Sequence, residues 1–235
     1  MRFVCSLIAA AMLAAMPAAA QIAPETKNYS VEVGYSDSLN KVIDRVNRVE
    51  QVMEERFRKY RHTQRSHRAA GIFRFAEAKT AGTRWANETL IPKVDEYTVT
   101  NLIKALTADN INRASPEFEG AVMYDISRFK VTNHDVAIMN GSSSYIIGRV
   151  VVVNADGSPI FAEDVTVNLV VDPTTDNSYK GPKYAFFETD PANRVGPTIA
   201  YFVERALEKI WPDKKDEIHG PVIIRVSGPQ ERIFQ

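Results

Sequence analysis

The densest chemical signal in this chain is a run of basic residues between positions 56 and 68. The run reads RFRKYRHTQRSHR and contains no acidic residue. Guanidinium groups match the geometry of phosphate and carboxylate oxygens, so the pattern predicts a docking patch for an anionic partner. The residues of this predicted patch are Arg56, Arg58, Lys59, Arg61, Arg65 and Arg68.

Two interpretations of this patch remain open. In the first, its partner is an envelope protein or another anionic surface, such as lipid headgroups or acidic glycan. In the second, the run is a solvated helix end whose cations face the negative pole of the helix dipole. Nucleic acid is not an expected partner, because the chain carries 29 basic and 29 acidic residues and nucleic-acid binding favours a strongly basic surface.

The 134–144 region contains the residue types of a serine hydrolase. His134 and Asp135 precede a Gly-Ser-Ser-Ser tract at 141–144. An envelope hydrolase that uses one of these serines with His134 is therefore an alternative function. Triads are recognised by geometry rather than by sequence neighbours, and no G-x-S-x-G elbow is present, so we expect a turn here and no catalytic residue.

Neither metal nor cofactor chemistry has a clear signature. The histidines at 62, 67, 134 and 219 do not show the spacing of a zinc site. Neither the phosphate-binding loop G-x-x-x-x-G-K-[ST] nor the dinucleotide pattern G-x-G-x-x-G occurs. We therefore expect no metal and no cofactor, and we favour a non-enzymatic function over an enzymatic one.

The first twenty residues predict a secretory signal peptide. Arg2 precedes an apolar run, and three alanines stand before Gln21, which predicts cleavage after Ala20. The run of about 13 residues is shorter than the roughly 20 that a membrane span needs. We expect a soluble protein of the periplasm or the extracellular space, not a membrane-spanning one. Its mature chain lacks cysteine, because Cys5 is removed.

The pattern of apolar residues divides the chain into three regions: the signal peptide at 1–20, a mainly helical region at 21–115 and an α+β domain at 116–235. Residues 36–61 carry apolar side chains every three or four positions, which predicts a long amphipathic helix. Such a helix packs along the body of the protein, against a partner or against a copy of itself. A homo-oligomer through 36–61 is therefore one expected assembly.

The remaining elements define the fold class. Alternating apolar residues predict a strand at 29–35 and an antiparallel pair at 144–153 and 160–171, joined by a turn at Gly157. Further segments with clear patterns are helices at 96–112 and 197–211 and strands at 183–187 and 222–226. We predict an α+β fold: a long N-terminal amphipathic helix region, then a mostly antiparallel sheet covered by a C-terminal helix.

These features favour an exported, non-enzymatic protein that binds or scaffolds a partner in the cell envelope. The envelope hydrolase described above is one alternative function. A structural secreted domain without a ligand is another.

Overall fold

The computed structural model describes residues 28–60, 82–132, 143–169, 183–188 and 195–225. The elements in chain order are β1 (Tyr29–Tyr35), α1 (Asp37–Tyr60), α2 (Ala86–Leu90), α3 (Val99–Ala114), β2 (Gly120–Lys130), β3 (Ser144–Asn154), β4 (Pro159–Leu169), β5 (Tyr184–Glu188), α4 (Val195–Ile210) and β6 (Pro221–Arg225). Short 3-10 turns precede α3 and follow α4. No described helix has the length and apolar character needed to cross a bilayer.

The main sheet has four strands in the order β1-β2-β3-β4. Its β2-β3 and β3-β4 pairs are antiparallel, whereas β1 lies parallel to β2, with Tyr29 opposite Gly120. A parallel pair needs a long connection, and α1, α2 and α3 form part of it. The mostly antiparallel sheet and its helices confirm the predicted α+β fold class.

The β3-β4 hairpin is the clearest link between sequence and structure. The turn between the strands is closed by a hydrogen bond from the Gly157 N–H to the Asn154 carbonyl (2.9 Å). Gly157 adopts a φ of 81°, a conformation in which a side chain is strained. The Asp156 carboxylate accepts the Ser158 N–H (2.9 Å), which satisfies a further donor in the turn.

One face of the sheet is covered by α3 and α4. Side chains alternate along each strand, so every second residue of β2, β3 and β4 points toward these helices. The covered positions are Val122, Tyr124, Ile126, Ile146, Val150, Val152, Val165 and Val167, all buried. They join Leu102, Leu106, Ile199 and Phe202 of the helices in one hydrophobic core. This core includes residues of both the predicted helical region at 21–115 and the predicted α+β domain at 116–235.

Three elements meet at Tyr124 in the centre of this core. Its hydroxyl shares a 2.9 Å hydrogen bond with Thr107 Oγ1 of α3, and its ring lies 5.8 Å from the Phe202 ring of α4. Gly148 of β3 leaves the space for that phenylalanine, because a Cβ there would stand 3.2 Å from Phe202 Cζ. Tyr124 thus connects the sheet to α3 through its hydroxyl and to α4 through its ring.

The second sheet is small and separate. In it β5 and β6 pair in parallel, from Tyr184 opposite Pro221 to Glu188 opposite Arg225. Trp85 forms an isolated parallel bridge to Ala185 on the other side of β5. The predicted strands at 183–187 and 222–226 therefore exist, with ends shifted by one residue.

In the described part of the chain, β4 forms one edge of the four-stranded sheet. Lys209 of α4 reaches this strand, where its ammonium group donates to Glu163 Oε2 (2.8 Å) and to the Asp164 carbonyl (3.3 Å). A side chain of the covering helix thus occupies one backbone acceptor of β4.

Two helix starts differ from their predicted positions. The α3 helix begins at Val99 rather than at 96, because Thr98 caps it by accepting the Asn101 N–H (3.1 Å). The α4 helix begins at Val195, two residues earlier than predicted. Pro197 is still tolerated there, since N–H groups of a first turn have no partner within the helix.

The approach of β2 to β3 at Gly120 generates a stability prediction. Gly120 has a φ of 139°, and a Cβ there would lie 2.0 Å from the Val153 carbonyl oxygen. We expect Gly120→Ala to lower the free energy of unfolding by at least about 2 kcal/mol. Gly34→Ala is the matched control, since its Cβ would meet only the Tyr124 carbonyl oxygen at 3.7 Å. Urea denaturation of both variants measures the difference, and equal losses would contradict this explanation.

Candidate functional site

The α1 helix begins immediately after β1 and is anchored along its inner side. Ser36, between the two elements, accepts the N–H groups of Leu39 (2.8 Å) and Asn40 (3.2 Å) through its carbonyl. In the first half of the helix, Leu39 and Ile43 are buried in the main core. The inner side of α1 is therefore held by ordinary apolar packing near its start.

Toward its C-terminal end, α1 is held mainly by polar contacts, beside one edge-to-face contact of Phe57 with Trp85 (5.5 Å between ring centroids). Asn47 Oδ1 accepts the first N–H of α3, from Val99 (2.9 Å), and Gln51 donates to the Asp95 carbonyl (3.0 Å). One turn later, Glu54 is buried, with only 6% of its surface exposed. These contacts fix the helix against the segment that leads into α3.

Arg58 closes this polar interface. Its guanidinium pairs with Glu54 and donates to the carbonyls of Ile91 (2.7 Å), Asn87 (3.2 Å) and Pro92. Its side chain is only 15% exposed. We predicted Arg58 as part of the anionic docking patch, but the structure places its guanidinium inside the protein. Its contacts here are those of an internal clamp between α1 and the end of α2.

The same interface affects a buried tyrosine. Tyr97 is 4% exposed and lies near the carboxylates of Glu50 and Glu54. Burial, and then the negative charges of these two residues, raise the pKa of Tyr97 well above its ordinary value. The tyrosine therefore remains neutral in this polar cluster against the inner face of α1.

Of the five other members of the predicted patch, the structure describes two. Arg56 and Lys59 lie on exposed positions of α1. Arg61, Arg65 and Arg68 lie outside the described residues. Within the described range, the predicted patch therefore contributes two exposed cations to the surface.

The structure adds three cations that the linear run did not include. Each residue turns a helix by about 100°, which places Lys41, Arg45 and Arg48 in one column with Arg56 and Lys59. All five are exposed, and we call them the cation column. The sequence signal for the column is helical spacing, since successive cations are three or four residues apart. The one larger interval, from Arg48 to Arg56, is eight residues, and Val52 lies at its middle.

Exposed valines run beside the cation column. Val42, Val49 and Val52 are 44%, 52% and 47% exposed, three of the four large apolar side chains that stand out in the described residues. The fourth is Ile160 of β4. We call the three valines of α1 the valine stripe. A stripe and a column of this kind, side by side on a helix anchored from behind, can bind a partner that is apolar in part and negatively charged.

A second polar cluster joins α3 to the start of β5. Tyr184 donates from its hydroxyl to Asp109 Oδ2 (2.6 Å), and Arg113 forms an ion pair with the same carboxylate. The Asn110 side chain binds both the N–H (2.8 Å) and the carbonyl (3.2 Å) of His219. Burial and the bond to Asp109 raise the pKa of Tyr184. The cluster fastens the small sheet to α3.

Glu204 of α4 lies beside Gly220, the residue that follows His219 of this cluster. Its carboxylate occupies the space in which a Cβ of Gly220 would stand, about 2 Å away. Burial, and then the charge of Glu208, raise the pKa of Glu204 to about 6, and the cations Lys183 and Arg205 oppose this shift. Glu204 is therefore a candidate for a pH-dependent contribution to stability.

Ser144, one of the serines of the predicted hydrolase region, has a structural role. Ser144 is fully buried, its Oγ accepts the Thr132 N–H (3.0 Å), and it donates to the Thr132 carbonyl (3.3 Å). These bonds hold the ends of β2 and β3 together. His134 and Ser142 lie outside the described residues.

No group of three or more His, Cys, Asp or Glu side chains is positioned for a metal ion within the described ranges. Among the histidines, only His219 falls within those ranges.

A depression of about 520 Å³ lies between the start of β2 and the β3-β4 turn. Its carboxylates, Glu117, Glu119 and Asp156, accept hydrogen bonds from Ser115, Asn28 and Ser158 respectively. The bonds of Ser115 and Ser158 are local and typical of turn structure, whereas the bond from Asn28 joins the segment before β1 to the segment before β2.

No known protein family matches this chain, and no curated protein and no solved structure matches it either.

The Arg58 clamp generates a stability prediction with a close control. We expect Arg58→Ala to lower the free energy of unfolding by about 2 to 4 kcal/mol, because it leaves the buried Glu54 carboxylate without its cation. Arg56→Ala, on the exposed side two residues earlier, should change it by less than about 0.5 kcal/mol. Guanidinium chloride denaturation measures both, and similar losses for the two variants would show that Arg58 is not a clamp.

Glu204 generates a prediction about pH. The folded protein holds the Glu204 proton more tightly than the unfolded chain, whose ordinary pKa is 4.5. The resulting stabilisation is present below about pH 4.5 and is lost as pH rises through about 6. Glu204→Gln should therefore gain stability relative to the native protein across this window. With allowance for solvent screening, the gain is about 1 kcal/mol. Thermal unfolding from pH 4 to 7 measures it, and a constant difference would contradict the assignment.

Proposed function

We propose that this protein is an exported, non-enzymatic component of the bacterial cell envelope that binds an anionic partner through α1. The observation that carries this proposal is the valine stripe beside the cation column. Apolar side chains that are about half exposed on an otherwise well-anchored helix are costly to leave in water. Binding of a partner would remove this cost.

The anchoring of α1 supports a binding role for its outer face. The inner face is packed on the core near Leu39 and Ile43, and it is fixed by the Arg58 clamp near its other end. The helix therefore presents its outer face in one orientation before a partner arrives. Such preorganisation lowers the entropic cost of association.

Charge supports an anionic partner. In the part of the chain that the structure describes, Lys41, Arg45, Arg48 and Arg56 form no salt bridge. The exposed residues of α1 include five cations and three acids, Asp37, Asp44 and Glu55. Asp37 and Asp44 lie on the side of the column away from the valines, whereas Glu55 lies one turn from Val52, so cations outnumber acids next to the stripe. Complementary charge on a partner would accelerate association and select the partner.

Export is supported by the first twenty residues. The apolar run and the three alanines before Gln21 have the form of a cleavable signal peptide. A mature chain that begins at Gln21 has no cysteine, so its core must stabilise it without disulfides. The apolar core built by α3, α4 and the main sheet is compatible with that requirement.

The non-enzymatic part of the proposal rests on the described polar clusters. Ser144, the Asp109 cluster and the Arg58 clamp each hold two elements of the fold together through the hydrogen bonds given above. Groups that are saturated by structural contacts are poor candidates for general acids, bases or nucleophiles.

Site-specific photo-cross-linking in the native cells tests this proposal. A photoreactive residue at Val49 or Val42 should give a discrete adduct of higher mass, because these positions would lie at the interface. The same residue at Ile160, which is 51% exposed on β4, is the matched control and should give none. Electrophoresis and mass spectrometry of the adducts provide the readout.

Two results would contradict the proposal. Equal cross-linking at Val49 and Ile160, or none at either, would argue for the alternative of a secreted domain without a ligand. Recovery of the protein from whole cells with residues 1–20 still attached would remove the export component, and terminal peptide mass spectrometry measures this directly.

A further inference from the structure

We infer that the partner of α1 is a protein helix with acidic flanks, packed along the valine stripe, rather than a lipid surface or a second copy of this chain. This inference rests on the proposed function and names the class of partner for the same surface. It follows from the spacing of the stripe, from the chemistry of its side chains and from the position of the cations.

The spacing of the stripe matches a seam between two helices. Val42, Arg45, Val49, Val52 and Arg56 follow one another at intervals of three, four, three and four residues. This is the a/d rhythm of a heptad repeat, which brings one helix into continuous contact with another. The row extends along most of α1, a helix of 24 residues and about 36 Å.

The width and composition of the stripe argue against a membrane surface. At about 100° per residue, the three valines occupy a sector of only about 80° of the helix circumference. Helices that lie in a membrane interface usually insert bulky groups such as Trp, Phe and Leu, whereas this row contains only valine among its apolar residues. A narrow, β-branched row is typical of a helix-helix seam.

The cations argue against a second copy of α1 as the partner. Arg45 and Arg56 stand in the heptad row itself, and its flank carries Lys41, Arg48 and, one heptad further, Glu55, so the row and this flank hold four cations and one acid. Pairing of two copies through the row would place both sets of cations at one seam, where like charges repel. Glutamate or aspartate on a partner helix would instead form charge-assisted hydrogen bonds with these groups.

The position of the clamp explains why this face stays outward. Arg58 lies about 180° around the helix from the centre of the valine stripe and is held by the carbonyls of Ile91 and Asn87. Rotation of α1 that buried the valines would remove these bonds and would expose Leu39 and Ile43. The clamp therefore keeps the stripe at the surface, and its three valines remain about half exposed to water.

Binding of designed peptides tests this inference. One probe is a helical peptide of the length of α1 with leucine at a and d and glutamate at e and g, and its matched counterpart carries lysine at e and g. We expect the purified protein to bind the glutamate peptide and not the lysine peptide, in a salt-dependent manner. Fluorescence anisotropy of labelled peptide at low and high salt measures both affinities.

Surface variants locate the binding. The double variant R45E/R48E should weaken binding of the glutamate peptide by at least about tenfold, because it introduces like charges along the seam. Val49→Asp should weaken it by a similar factor. The matched control K104E/K215E changes two exposed cations outside α1 and should bind as the native protein does. Circular dichroism and thermal unfolding confirm that each variant remains folded.

The outcomes separate this inference from the proposed function. Equal binding of both peptides, or of neither, overturns the acidic-helix partner. Binding to phosphatidylglycerol vesicles but not to phosphatidylcholine vesicles or the glutamate peptide also overturns it, while an anionic docking role for α1 stands. A concentration-dependent dimer that Val49→Asp abolishes, measured by sedimentation, overturns it in favour of self-association. If cross-linking at Val49 also fails in cells, the proposed function itself is lost.

Discussion

The contact among Tyr124, Thr107 and Phe202 is the one on which the rest of this structure depends. It joins a strand of the main sheet to both covering helices, and it places a hydroxyl pair in an interior that would penalise either hydroxyl alone. Gly148 makes the arrangement possible by leaving room for the phenylalanine ring. The hydrogen bond between the phenol and the threonine positions α3 on the sheet, and the ring contact with Phe202 positions α4. The small sheet then follows, since the Asp109 cluster ties it to α3.

The α1 helix is attached to this body in a different way. Its first half uses apolar burial, whereas its second half adds Glu54, Arg58 and backbone carbonyls to a single aromatic contact, that of Phe57 with Trp85. Buried charges add little net stability even when they are paired, but removing one partner leaves the other charge buried and uncompensated, which strongly destabilises the fold. A polar interface of this kind therefore specifies orientation more than it adds stability. The result is a helix whose outward face is determined by what lies behind it.

Local patterns predicted the individual elements well and their pairing poorly. The alternation in β3 and β4 and the glycine at position 157 were sufficient to predict an antiparallel pair and its turn. The alternation of Tyr29, Val31, Val33 and Tyr35 predicted β1 but not its neighbour, because β2 lies about 90 residues away in the chain. The separation of β5 and β6 from the main sheet is likewise set by tertiary packing, which periodicity does not contain.

The candidate site shows the same division. The high density of basic residues at 56–68 predicted a single patch. Side chains on a helix are neighbours when they are three or four residues apart, so consecutive basic residues lie on different faces. Arg58 belongs to the inner face, as its spacing of four from Glu54 indicates, whereas Lys41, Arg45 and Arg48 share the outer face with Arg56. The exposure of the valines could not be predicted, since a heptad rhythm does not say which side the core will occupy.

The contact of Lys209 with β4 has a consequence for the behaviour of the protein at high concentration. A strand at the end of a sheet offers unpaired backbone groups that can recruit a strand from another molecule and begin a fibril. Here a lysine already occupies the Asp164 carbonyl, Pro159 removes a donor at the start of the strand, and Glu163 adds a charge. A covering lysine, a proline and a charged side chain are features by which natural proteins discourage the pairing of an edge strand with another molecule.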